Sequence, residues 1–190
     1  MAIERLYLQP KTPKLFDRAI QDIQKHFVGL SWLDHIFGRC ERLVKKVEGV
    51  RVYSPNVYAG GNEYILLTPD NKDLGSYCFF VMDEPETIGV DMGSQVRMKA
   101  PFSLVVWVDM RKSCVGDDRN IYDIENDVLD FLKWPGVLKN GHIEVSRVWH
   151  NAENVFRGFT LDEVDNQFLM APFAGFRIQG ELTITNDCVL

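Results

Sequence analysis

The sequence predicts an α+β fold: an antiparallel or mixed β-sheet with an N-terminal helix and a central helix packed on one face. Three observations predict it. Residues 14–29 and 121–133 carry apolar side chains at helical spacing. The segments between and after them are alternating or continuously apolar over strand-sized lengths. The order of elements also lacks the βαβ repetition of a parallel sheet. At 190 residues the chain makes one domain, 1–190, read as a helical N-terminal segment 1–48 and a sheet body 49–190 with a long loop 83–99.

In the first helix Leu15, Phe16, Ala19, Ile20, Ile23 and Phe27 recur at three- and four-residue steps, with Lys14, Asp17, Arg18, Asp22 and Lys25 on the other side. Thr12-Pro13 starts it and Gly29 ends it. Ser31 then caps a second short helix through Trp32, Leu33, Ile36 and Phe37, with a basic continuation from Arg39 to Lys46. From Gly49 the period changes. Val50 to Tyr53 and Asn62 to Leu67 read as strands separated by Pro55 and the turn Ala59-Gly60-Gly61.

Tyr77 to Met82 is an aromatic-rich strand, whereas 83–99 holds Pro85, Gly89, Gly93 and little pattern, the mark of a long irregular connection of the kind that is functional or that a partner orders. Phe102 to Met110 is apolar at both parities, so it belongs at the centre of the sheet with both faces covered. An acidic loop precedes helix 121–133, whose stripe is Ile121, Ile124, Val128, Leu129 and Leu132 and whose solvent side carries Asp123, Glu125, Asp127 and Asp130. Strands follow at Ile143 to Trp149 and Phe173 to Ile184, with a turn at Asn151 to Asn154. In the last strand Phe176, Ile178, Leu182 and Ile184 face a core, and Arg177, Gln179, Glu181 and Thr183 face water or a neighbour.

With 46% hydrophobic residues the chain can bury an ordinary core, and a net charge of -6 argues against a surface that clamps nucleic-acid phosphate everywhere. The charge is uneven. Residues 1–51 hold ten basic and six acidic residues (+4), and 52–190 hold eleven and twenty-one (-10). A solvated helix face explains this, as do two surfaces of opposite sign that meet head-to-tail between identical subunits. Cys40, Cys78, Cys114 and Cys188 are widely spaced, as reduced cytosolic thiols are. The charged N-terminus does not read as a signal peptide, and no apolar run approaches the roughly 20 residues of a membrane helix.

Motifs for chemistry are missing. His26, His35, His142 and His150 are scattered, with only His142 and His150 placed to approach each other around one strand. There is no GxSxG elbow and no phosphate-cradling loop followed by Lys-Ser/Thr. Cys114 has acidic neighbours that disfavour a thiolate. The run Asp117 to Glu125 lacks the glycine and glutamate of a calcium loop. The expectation is a non-enzyme without metal or cofactor. What is over-supplied is aromatic and apolar residues outside regular elements. Trp134, Trp149, Phe156, Phe168, Leu169, Met170 and Phe173 are either a second core layer or a subunit interface.

A resemblance adds to this reading. The central strand with its irregular tip (Phe102 to Arg111), the acidic-faced helix (Ile121 to Leu132), the strand Ile143 to Trp149, the apolar connection Phe168 to Pro172 and the final alternating strand (Phe173 to Ile184) are together similar to the tail-terminator, tail-completion and head–tail connector proteins of long-tailed phages. The likeness spans roughly residues 100–185 in element order and carries no shared residue motif. It implies a virion protein of the neck, made in the host cytoplasm, that forms a hexameric or dodecameric ring. Such a ring touches tail-tube, connector or portal proteins and lets double-stranded DNA pass without sequence-specific binding. Two other classes stay open: a small-ligand domain with a pocket rimmed by Tyr53, Tyr58, Tyr64 or Tyr77, and an intracellular enzyme.

Overall fold

A computed structural model describes residues 4–83, 86–90, 95–113, 119–133 and 136–187. The elements run α1 (Leu15–Phe27), β1 (His35–Arg39), β2 (Glu41–Val47), β3 (Val50–Gly60), β4 (Glu63–Leu66), β5 (Tyr77–Met82), β6 (Thr87–Val90), β7 (Gln95–Asp109), α2 (Met110–Ser113), α3 (Ile121–Lys133), β8 (Gly141–Trp149), α4 (Ala152–Val155), a 3-10 turn (Asn166–Leu169) and β9 (Phe173–Asp187). The large sheet has the order β1-β5-β7-β9-β8, with β6 following β5 along the same edge of β7. Its β1–β5 pair is parallel and its other pairs are antiparallel, so the fold is α+β with a mixed sheet. A separate antiparallel sheet has the order β2-β3-β4.

β7 organises the body because its apolar side chains leave both of its faces. Phe102, Leu104, Val106 and Val108 meet Phe16, Ile20, Ile23 and Phe27 of α1 and Ile124, Val128 and Leu132 of α3 in one core. Val105 and Trp107 point the other way, into a second core with Phe37, Val57, Leu67, Tyr77, Phe79 and Phe156. The sheet therefore carries helices on one side and, on the other, the small sheet with α4. The helical layer is held in place by Phe27, whose ring lies 6.5 Å from Phe80 and 6.4 Å from Phe131. Trp32 adds a polar tie, donating from Nε1 to Asp127 Oδ2 at 3.0 Å.

Three expectations are corrected. Residues 31–46 form no second helix: β1 and β2 occupy that stretch, and α1 is the only helix of 1–48 among the described residues. Ile36 and Phe37 are both fully buried but belong to different cores, which neighbouring residues of a strand do naturally. Their spacing from Trp32 and Leu33 imitates a helical stripe. The loop 83–99 is largely a hairpin, β6 with the start of β7, in which Thr87 faces Lys99 and Val90 faces Val96 across the ladder. Local sequence does not show how far β7 extends to supply that partner. Pro55 does not end β3; the strand runs through it, and its carbonyl accepts the Leu67 N–H at 2.9 Å.

β9 pairs with β7 from Phe173 to Asp187 without a bulge. Gly175 lies opposite Trp107, and a Cβ there would fall on the indole ring and on the Val106 carbonyl. Gly175→Ala is expected to lower the unfolding free energy by about 1–3 kcal/mol, because overpacking forces strands or side chains off their minima. Urea denaturation checks this: the midpoint should fall, and an unchanged midpoint would mean that the strands yield freely at this contact.

Candidate functional site

The residues proposed as a subunit interface do not form one patch. Phe156 is 1% exposed and stands edge-on to Trp107 at 5.2 Å, so it belongs to the second core and has no surface to offer a neighbour. Leu169 and Phe173 are half-buried against that core, and the Phe168 ring lies tilted against Phe173 at 5.1 Å. Met170 is 57% exposed. Trp149 lies at the end of β8, donating from Nε1 to Gln179 Oε1 at 3.0 Å. Trp134 lies outside the described residues, as do Cys114 and Cys188. Of the two explanations for the aromatic surplus, the second core layer accounts for Phe156, Leu169 and Phe173.

An unpartnered surface lies elsewhere. β2 and β3 meet through Glu48 and Gly49, both at positive φ, a two-residue loop that matches the twist of the flanking strands. The root of this ribbon is in the second core at Val57. Its outer part is exposed, with Val44 at 55% and Val50 at 65%, and with Val47 exposed between them. Lys45, Lys46 and Arg51 flank these valines, also exposed. Four of the ten basic residues of 1–51, Arg42, Lys45, Lys46 and Arg51, thus lie on a β-ribbon, the first three where a helical continuation is expected from the sequence.

At the foot of the ribbon, on the second-core side of the large sheet, the side chain of Arg177 is buried. Of the two settings that the alternation of the last strand allows it, water or a neighbour, it has the second: it is 3% exposed, because residue 157 and Asp83 close over that face of β9. Its Nη1 donates to the Arg157 carbonyl at 2.8 Å and its Nη2 to Asp83 Oδ1 at 3.4 Å. Asp83 in turn accepts from Ser103 Oγ at 2.6 Å. Burial first, and the Arg157 cation beside it, pull the Arg177 pKa below its ordinary value, against the opposing pull of Asp83. Two open cavities of about 460 and 580 Å³ adjoin here and share Asp83, Arg157, Gly158 and Arg177 in their walls.

The other candidates do not assemble. His150 bonds Glu125 Oε2 at 2.6 Å through Nε2, at the opposite end of β8 from His142. Among the described residues no three His, Cys, Asp or Glu side chains form a metal-binding group, and no helix is long and apolar enough to cross a membrane. The four tyrosines lie apart: Tyr77 is buried and donates to the Leu67 carbonyl at 3.1 Å, Tyr58 and Tyr64 pair at 5.4 Å on the outside of the small sheet, and Tyr53 lies under Arg42.

No protein-family model and no curated protein matches this chain.

Cys40 borders the cleft but is a poor nucleophile, since burial pushes its thiol from an ordinary 9.0 up to about 12. A raised folded-state pKa gives stability that is complete below the unfolded value and is lost as pH rises through the folded one. Stability should therefore fall between about pH 9 and 12, and Cys40→Ala should flatten that fall. Buried Cys78, whose pKa is also raised, keeps the rest of the slope. Urea midpoints at pH 7.5 and 10.5 check it; equal pH slopes for the two proteins would place the titration elsewhere.

Proposed function

We propose that the protein is a structural subunit that assembles with copies of itself, as a ring at the head–tail junction of a phage. There it joins tail to head and lines the passage for DNA. The observation that carries this reading is the β2–β3 ribbon: it extends valines beyond the body that the described residues leave exposed. Exposed apolar side chains on a projecting ribbon are costly for a monomer and useful to a neighbour. Lys45, Lys46 and Arg51 give the ribbon a charge opposite to that of the -10 body, so the two surfaces attract in a head-to-tail contact.

The phage resemblance carries the finer part of the reading. It implies an N-terminal helix and an antiparallel sheet with helices on one face, and α1, α3 and the antiparallel core of the large sheet have that arrangement. A ring of such subunits presents mainly acidic surface, which repels phosphate and lets a duplex slide past without adhering. Neighbouring tail-tube, connector or portal proteins would meet the faces of that ring.

Native mass spectrometry and negative-stain microscopy test the proposal. The expected species is a closed oligomer of six or twelve chains, weakening at high salt as exposed charge pairs are screened. Val44→Ser, Val47→Ser and Val50→Ser combined should weaken association by about a hundredfold while the circular dichroism spectrum is kept, since each valine loses part of the roughly 1.5–3 kcal/mol of its burial. A strictly monomeric wild-type protein at high concentration overturns the reading.

A further inference from the structure

The cleft beneath the ribbon concentrates positive charge, and three of its four arginines come from the part of the chain that is otherwise most acidic. Arg42 reaches it from β2, Arg147 from β8, Arg157 from the segment after α4 and Arg177 from β9. Among the described residues Asp83 is the one carboxylate in its walls. We propose that this cleft is a binding site for a compact phosphate-bearing anion such as a diphosphate group, with Arg177 at its floor and Arg42, Arg147 and Arg157 around its rim. The proposal does not depend on assembly.

The competing explanation is that Arg177 is a structural ion pair with Asp83. The same molecule shows what a closed pair looks like: Arg111 grips Asp109 with two bonds, Nε at 2.9 Å and Nη2 at 2.8 Å, and the guanidinium holds the Asp109 carboxyl below its ordinary range. Arg177 has one contact to Asp83 at 3.4 Å, on a carboxylate whose other oxygen is engaged by Ser103. Its Nε is buried and has no hydrogen-bond partner among the described residues. A buried cation this loosely compensated is costly unless a further anion is supplied. Three more arginines next to it raise that cost and add to the attraction for an anion.

Ligand chemistry follows from the side chains and the shape. All four cations are arginines, whose planar forks match the oxygens of phosphate better than a point charge does. Four cations against one carboxylate leave an excess suited to a multiply charged group and too large for a single carboxylate. Two adjoining cavities on either side of the shared Asp83–Arg177 floor give room for more than one oxyanion. Arg177 is 3% exposed and sets the charge of the floor, while the exposed Arg42, Arg147 and Arg157 carry the contacts to a ligand small enough to sit within the two cavities, which a duplex is not.

Isothermal titration of the full-length protein with inorganic pyrophosphate, with citrate and with a 16-base-pair DNA duplex, at matched ionic strength, tests the assignment. Pyrophosphate should bind saturably at one site per chain and several-fold more tightly than citrate, and the duplex should show no such site. Arg157→Gln keeps the main-chain carbonyl that Arg177 uses, and it should weaken pyrophosphate about tenfold, the usual order for one charged hydrogen-bonding partner. Arg42→Gln should act in the same direction, whereas Lys72→Gln, on an exposed loop, should change nothing. No saturable pyrophosphate binding, equal binding of citrate, tighter binding of the duplex, or an Arg157→Gln protein that binds like wild type would each overturn it.

Discussion

A strand that is apolar on both faces has to be covered twice, and β7 sets that requirement for the whole molecule. Its 15 residues pair with β9 along their full length. One face is closed by α1 and α3, two amphipathic helices of 13 residues each that could not persist alone in water without that surface. The other face needs a second cover, which the small sheet and α4 provide. Covering it brings in β3, whose root at Val57 is buried while its far end at Val50 is in solvent. The projecting ribbon is thus a by-product of the double burial: the part of β3 needed as cover is shorter than the strand.

The second face is also where polar groups collect inside the protein. Ser103, Asp109 and Arg177 are buried on it beside Trp107 and Val105. Asp109 is satisfied by a neighbour two residues away, and a local pair of this kind forms whatever the rest of the fold does. Arg177 relies on Asp83 and on the carbonyl of Arg157, 94 and 20 residues distant. Its environment is set by the packing of three separate segments, and that packing leaves it only partly compensated. Charge in this chain is accordingly patterned by layer. Cations gather on the ribbon and in the cleft, and the acidic residues of α3 are partly engaged at home, Asp127 with Arg119 and Trp32 and Glu125 with His150.

Legibility in the sequence followed the range of the interactions. Helix 121–133 is α3 to the residue, and 14–29 encloses α1, because each carries a stripe that repeats over three turns. The two-sided burial of Phe102 to Val108 and the inward side of β9 were readable for the same reason. β1 and β2 were not. Four apolar residues at ambiguous spacing, Trp32, Leu33, Ile36 and Phe37, and the basic run after them fit a helix as well as a strand, and the choice rests on hydrogen bonds to β5 and β3. The hairpin within 83–99 was hidden because its partner is the extension of β7. Phe156 counted as surplus only until the second core gave it a place.

By itself the sequence determined the α+β class, the two amphipathic helices, the central and final strands and the split between a basic beginning and an acidic body. These depend on periodicity and composition, which are local or additive. The tertiary structure decided which apolar residues are core, that the end of the basic segment is a ribbon, and that Arg42, Arg147, Arg157 and Arg177 surround one cleft. Each of those depends on chain closure between residues tens of positions apart. Such closure follows from covering β7 on both sides, and no window of sequence contains it.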